Sequence, residues 1–147
     1  MKFILQTTPT AQARPRHGTI TTKTGKTLHM TFKSERQQSN EATLDALLAP
    51  YAPASPLRGP VALSFIAALP MPKSASKTER EAMLNGWELP LKKPDLDNLA
   101  KQLKDALTRL QFWGDDRQCV ILYGKKIWAV NGYWAVKLEK VNGGGLA

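Results

Sequence analysis

A row of leucines on one helical face constrains the fold of this chain more than any other feature. Between residues 96 and 110 the leucines recur at spacings of 3, 4, 4 and 3 residues, at Leu96, Leu99, Leu103, Leu107 and Leu110. That repeat places all five on one side of an α-helix and leaves charged residues on the other. A helix with one apolar stripe must bury that stripe against another layer of the fold.

Apolar segments on both sides of this helix predict the strands of that layer. The run 61–69 is almost continuously apolar, which is typical of a central strand buried on both faces. Segments 119–130 and 133–141 are predicted to be the two strands of a β-hairpin that turns at Asn131-Gly132. Segment 2–8 predicts a further strand. We therefore expect an α/β (α+β) fold, in which a small mixed β-sheet of about four strands packs with two main helices.

The remaining segments complete one domain. We predict a loop at 9–18, a hairpin at 19–32 turning at Thr24-Gly25, a helix at 34–49 capped by Ser34, a short helix from Ser76 or Thr78 to about Asn85, and a loop at 86–95. A single domain is expected over 1–141, followed by a flexible glycine-rich tail at 142–147.

The charge of the chain suggests a polyanionic partner. The formal net charge is +9, and residues 1–37 carry seven Lys and Arg residues against one acid, Glu35, so +6 of it lies in the first quarter. A strongly basic region of this kind is typical of nucleic-acid binding. The alternative is a solvated surface that only keeps the protein soluble.

Cysteine content and hydropathy indicate the cellular compartment in which the protein is expected. The single cysteine, Cys119, excludes an internal disulfide and a cysteine-based zinc cluster. The longest apolar stretch, 61–70, is about half of a membrane span, and no secretion signal is evident at the start. We therefore expect a soluble cytoplasmic protein that is not associated with a membrane.

Two pairs of aspartates stand out in so basic a chain. Asp95 and Asp97 lie at the start of the leucine-striped helix, and Asp115 and Asp116 lie in the turn after it. Carboxylates are the ligands that Mg²⁺ prefers, and such an ion can promote phosphodiester hydrolysis. The alternatives are a helix cap or a complement to the helix dipole for the first pair, and a solvated turn for the second. The spacing leaves open whether one protomer or two bring the pairs together.

A long motif connects these acids. Lys93-Pro94-Asp95-Leu96-Asp97-Asn98-Leu99-Ala100-Lys101 is followed by Asp105-Ala106-Leu107 and by Trp113-Gly114-Asp115-Asp116-Arg117-Gln118. The combination closely resembles the D-x-D-N-L-x-x-K, D-A-L and D-D-x-Q motifs of the RusA family of Holliday junction resolvases. The loop Ala13-Arg14-Pro15-Arg16 also resembles an arginine-proline motif of the phage-type members.

The resemblance implies an activity and a role for each acidic residue. It implies that Asp95, Asp97 and Asp116 are essential metal-binding carboxylates, that Lys101 is a catalytic lysine, and that Asp115 is a less critical neighbour in the metal site. It further implies a homodimer that nicks four-way DNA junctions in recombination and repair with Mg²⁺, for which Mn²⁺ can substitute. A bacterial host cell, with a phage or prophage origin, is typical of such proteins.

The other basic residues are candidates for binding the DNA backbone. Arginine fits phosphate with two parallel hydrogen bonds, which makes Arg14 and Arg16 the first candidates. Lys92, Lys93 and Lys73 extend the predicted surface. We expect Phe112 and Trp113 to pack in the core or a dimer interface rather than stack on bases.

Two further functions fit the same features. One is a non-catalytic, structure-specific DNA-binding protein, which needs the basic surface but not the aspartates and Lys101. The other is a nuclease that uses the same site on other branched DNA, such as flaps or replication forks.

Overall fold

The structure is a computed structural model that describes residues 1–12 and 16–143. Its helices are α1 (Glu35–Leu48), α2 (Lys77–Leu84) and α3 (Leu96–Arg109). Its strands are β1 (Lys2–Leu5), β2 (Arg16–Thr21), β3 (Thr27–Phe32), β4 (Val61–Pro70), β5 (Cys119–Ala129) and β6 (Tyr133–Lys140). The last part of the predicted tail, residues 144–147, lies outside the described residues.

Four strands form a mixed sheet in the order β1-β6-β4-β5, and β2 pairs only with β3 in a separate two-stranded sheet. Within the larger sheet β4 is parallel to β5 and antiparallel to β6, and β1 is antiparallel to β6. The mixed α+β architecture that the sequence predicts is confirmed. No helix in the described part of the chain is long and apolar enough to cross a membrane.

Helices α1 and α3 pack on one face of the sheet. Leu99, Leu103 and Leu107 of the predicted stripe are fully buried, and they share one core with alternate residues of β4 and β6. The prediction that β4 is buried on both faces is wrong. Over residues 61–67 buried residues alternate with partly exposed ones, because α1 and α3 cover one face of the sheet; on the other face only Ala68 of β4 is buried.

Several element boundaries differ from the predicted ones. Strand β1 ends at Leu5 rather than residue 8, because the amide of Thr7 turns back to donate to the carbonyl of Leu5. Strand β2 begins at Arg16, which the sequence places in a loop. Ser34 caps α1 as predicted, and Ser76 rather than Thr78 caps α2 through a capping box.

A glycine allows α3 to approach the edge strand β5. A Cβ atom at Gly124 would lie 2.6 Å from the Cζ atom of Phe65 and 3.3 Å from a methyl group of Leu96. Only glycine therefore fits between the phenyl ring and the first turn of the helix. This contact brings the start of α3, which carries the first aspartate pair, close to the middle of β5.

Candidate active site on helix α3

The first aspartate pair lies at the amino-terminal end of α3 with both side chains exposed. Asp95 occupies the N-cap position, but its side chain makes no capping hydrogen bond; only its main-chain carbonyl accepts, from the amide of Leu99. Asp97 lies in the first turn. The interpretation of Asp95 as a side-chain cap is therefore wrong. The helix dipole favours negative charge at this end, which offsets part of the repulsion between the two acids.

A lysine of β5 anchors the loop that leads to Asp95. The ammonium group of Lys126 donates to the main-chain carbonyls of Lys92 and Pro94, at 3.0 Å each. The sequence did not predict this role for Lys126. A signal was present, since Lys126 is two residues after Gly124 and so faces the helix-covered side of a strand.

Asp97 borders an open cleft between α3 and the sheet. The cleft has a volume of about 590 Å³ and its other lining residues are mainly apolar: Phe65, Leu96, Ala100, Leu122, Tyr123 and Gly124. A larger groove of about 690 Å³ lies on the opposite, uncovered face of the sheet, and none of the predicted site residues lines it. The predicted chemistry is therefore associated with the smaller of these two cavities.

Three charged residues form a stripe along α3 from Asp97. Lys101 and Lys104 follow it at spacings of four and three residues, which places them on the same helical face. The ammonium group of Lys101 lies 3.0 Å from the carboxylate of Asp105. The ammonium group of Lys104 lies 3.6 Å from the carboxylate of Asp116. Asp116 is therefore next to this stripe, as the contact with Lys104 shows.

The structure does not gather Asp95, Asp97 and Asp116 around one point of the protomer. Seven residues separate Asp97 from Lys104, which corresponds to a rise of about 10 Å along the helix. Over residues 1–12 and 16–143, no three His, Cys, Asp or Glu side chains lie together as a metal-ligand set. The described protomer thus presents two carboxylates at the start of α3 and a third, Asp116, beside the ammonium group of Lys104.

Asp115 is engaged by its own turn. Its carboxylate accepts hydrogen bonds from the main-chain amide, Nε and Nη2 of Arg117, at 2.8 to 3.0 Å. These contacts lower the pKa of Asp115 from 3.8 to about 2. The Asp115 carboxylate therefore stays ionised and paired with Arg117, whereas Asp116 has the looser contact with Lys104.

Gln118 fastens this turn to the rest of the fold. Its Oε1 atom accepts from the amides of Gly114 and Asp115, at 2.8 and 3.1 Å. Its Nε2 atom donates to the carbonyls of Leu57 and Gly59, at 2.9 Å each. All four hydrogen bonds use the amide in one orientation, so Gln118 positions the segment that carries Asp116.

Replacing Gln118 with glutamate should destabilise the protein by about 2 to 3 kcal/mol, because a carboxylate oxygen would then face two main-chain carbonyls in place of a donor. Chemical unfolding of Gln118→Glu measures the effect. Gln111→Glu makes the same change on an exposed side chain and should lie within about 0.5 kcal/mol of the parent. Equal stabilities of the two variants would contradict the positioning role.

The remaining predicted residues are distributed around this site. Arg16, Lys73, Lys92 and Lys93 are all exposed, and Lys92 and Lys93 lie in the loop before Asp95. Arg14 lies outside the described residues. Phe112 and Trp113 are buried in the core, which confirms packing rather than base stacking, and the indole of Trp113 donates to Thr108 at 2.7 Å.

Comparison with known proteins identifies related sequences. Residues 6–139 match the family model described as endodeoxyribonuclease RusA. The chain is 34% identical over 145 residues to YqaN of Bacillus subtilis (strain 168), an uncharacterized protein, and the match covers 97% of each protein. It is 46% identical over 41 residues to the crossover junction endodeoxyribonuclease rusA of Lactococcus phage r1t, which covers 28% of this chain and 31% of the phage protein.

Proposed function

Because the chain belongs to the RusA family of endodeoxyribonucleases, we propose that it resolves four-way DNA junctions in recombination and repair by paired, Mg²⁺-dependent nicks. One observation carries this proposal. Asp95 and Asp97 are exposed at the start of α3, and Lys101 follows one turn later on the same face as Asp97. Carboxylates that could hold a divalent ion, with an ammonium group nearby, support a role in hydrolysis of a phosphodiester.

The acids at the start of α3 fit a divalent cation by their chemistry. Mg²⁺ is commonly held by one or two carboxylates together with substrate phosphates. Asp95 and Asp97 would hold it here, with Asp116 as the third predicted ligand. The bound ion would supply a water molecule activated for attack and would neutralise the scissile phosphate.

Lys101 can exchange its present partner for DNA. Its side chain is 63% exposed and its ion pair with Asp105 is an i,i+4 surface pair. Such pairs contribute little in water, about 0.3 to 0.5 kcal/mol, so a phosphate can displace the carboxylate. The ammonium group would then offset negative charge on the phosphate during cleavage.

Paired nicks also require two active sites on one junction. A homodimer supplies them, with one site for each of two opposed strands. Light scattering should therefore give the mass of two chains at the concentrations at which the protein cuts junctions.

The test is cleavage of a synthetic mobile four-way junction with and without Mg²⁺, mapped at nucleotide resolution. The expected result is a symmetric pair of nicks that needs Mg²⁺ or Mn²⁺ and leaves ligatable ends. Flaps, forks and plain duplex serve as the comparison substrates. Faster cutting of flaps or forks than of junctions would assign the same site to other branched DNA.

One observation favours a second function. The protomer lacks a three-acid cluster within its described residues, which suits a structure-specific DNA-binding protein without nuclease activity. Tight junction binding with no nick in either metal would support this second function.

A further inference from the structure

Strands β2 and β3 form an exposed β-ribbon, here called the ribbon (residues 16–32). Their antiparallel register runs from Arg16 opposite Phe32 to Thr21 opposite Thr27. Every strand residue of the ribbon except Gly18 is exposed. A two-stranded hairpin on its own is marginally stable in water. Because the ribbon is so exposed, we expect it to bind a partner rather than to stabilise the core.

The two faces of the ribbon differ in chemistry, because residues opposite each other on antiparallel strands share a face. One face carries hydroxyl and imidazole groups, from His17, Thr19, Thr21, Thr27, His29 and Thr31. The other face is mainly apolar and carries Ile20, Leu28, Met30 and Phe32, which are 43% to 48% exposed, with Arg16 opposite Phe32 at its end.

The tip of the ribbon presents two lysines, Lys23 and Lys26, on a hydrogen-bonded turn. The hydroxyl of Thr22 donates to the carbonyl of Lys26 and accepts from its amide, both at 3.2 Å. The amide of Gly25 donates to the carbonyl of Thr22 at 2.9 Å, and Gly25 has a positive φ of 77°. No Asp or Glu occurs before Glu35. The ribbon therefore contains no acid that could neutralise its lysines.

The described segments before and after the ribbon contact α3 and α1. Before the ribbon, the side-chain amide of Gln12 donates a long 3.4 Å hydrogen bond to Asp105, the residue that pairs with Lys101. After the ribbon, Lys33 pairs with Glu41 of α1 at 2.9 Å. Burial alone would raise the pKa of Glu41, but hydrogen bonds from Lys33 and Gln37 outweigh it and lower that pKa. Gln12 and Lys33, which flank the ribbon in the sequence, thus contact α3 and α1.

We infer that the tip and the threonine-histidine face of the ribbon bind the phosphate backbone of a DNA arm next to the cut site. This inference rests on the proposed function. Ammonium, hydroxyl and imidazole groups are the usual donors to phosphate oxygens. Six residues per strand give a ribbon about 20 Å long, and the major groove of B-DNA admits a two-stranded ribbon.

The charge of the ribbon favours DNA over a second copy of this chain as its partner. If two ribbons associated, two cationic tips without acids would come together in a protein that already carries a net charge of +9. Like charges close together repel, whereas the same tips attract phosphates and release counterions. The apolar face alone would suit a second copy, so the experiment includes variants of that face.

The main test variant is Lys23→Ala/Lys26→Ala. Counterion release contributes about 0.9 of a decade in affinity per phosphate contact at 0.1 M salt, so the loss of two contacts should weaken junction binding about 60-fold for each protomer that contacts the junction. The slope of log affinity against log salt should fall by about 2 for each such protomer. Fluorescence anisotropy with a labelled four-way junction and no divalent metal measures both quantities.

Two controls separate the ribbon tip from charge in general. Lys125→Ala/Lys140→Ala removes the same charge from exposed lysines of β5 and β6. It should weaken binding less than about threefold, since neither lysine lies on the ribbon. Lys23→Arg/Lys26→Arg keeps the charge and should bind like the parent.

The outcomes are distinguishable. Equal weakening by the tip variant and the Lys125/Lys140 variant would overturn the inference. A tip variant that binds normally, with Leu28→Thr/Met30→Thr halving the mass by light scattering, would overturn it and assign the ribbon to a dimer interface. If the parent never nicks junctions in Mg²⁺ but the tip variant still loses binding, the proposed function fails and the inference stands.

Discussion

Asp97→Asn should abolish cleavage of a four-way junction and leave junction binding intact. The substitution keeps the shape of the side chain but removes the negative charge that a divalent cation needs. A fall in the cleavage rate of about three orders of magnitude, equivalent to about 4 kcal/mol of transition-state stabilisation, is the expected size. Single-turnover cleavage in Mg²⁺ gives the rate, and anisotropy without metal gives the affinity.

The folded state should tolerate this change. Asp97 is exposed, and its favourable interaction with the helix dipole amounts to about 0.3 to 1 kcal/mol. Glu139→Gln is a control with the same change of charge on β6, where Glu139 pairs with Lys137 rather than any predicted site residue. It should cut at the rate of the parent. If Asp97→Asn also cuts at that rate, Asp97 has no part in the chemistry.

Local patterns in the sequence were sufficient to predict the elements that carry this site. The leucine stripe predicts α3 to within one residue, because only one helical face of that segment can be buried. Ser34 caps α1 because its hydroxyl accepts from the amide of Gln37. Asn131-Gly132 lies between β5 and β6 as predicted, but the hairpin predicted there is wrong, because β4 lies between these two strands in the sheet and pairs with both.

Tertiary contacts decided the features that the sequence could not predict. An apolar run such as β4 has the same pattern whether one face or both are covered, and here the second face is buried only at Ala68. Gln118 reaches carbonyls 59 and 61 residues earlier in the chain, at Gly59 and Leu57. No local spacing predicts such contacts. The position of Asp116 depends on them, which is why the motif alone left its distance from Asp97 open.

Neighbouring acids in the second pair should behave differently. Asp116→Asn is expected to lower the cleavage rate at least about 100-fold, because its carboxylate is the one available to a cation. The Asp116 side chain is half exposed, and its contact with the ammonium group of Lys104, at 3.6 Å, is longer than a good hydrogen bond. Asp115→Asn should lower the rate less than about tenfold, because the Asp115 carboxylate already accepts three hydrogen bonds from Arg117.

The pH dependence of stability tests the state of Asp115 independently of cleavage. The pKa of Asp115 is about 2 in the folded protein, below the value of about 3.9 for an unfolded aspartate. Its stabilising contribution is therefore present above about pH 4 and is lost as the pH falls towards 2. Thermal melting of the parent should show this loss, and melting of Asp115→Asn should show less of it. Two results together would contradict this state of Asp115: Asp115→Asn melts like the parent at every pH, and it loses cleavage as fully as Asp116→Asn. Asp115 would then be the metal ligand.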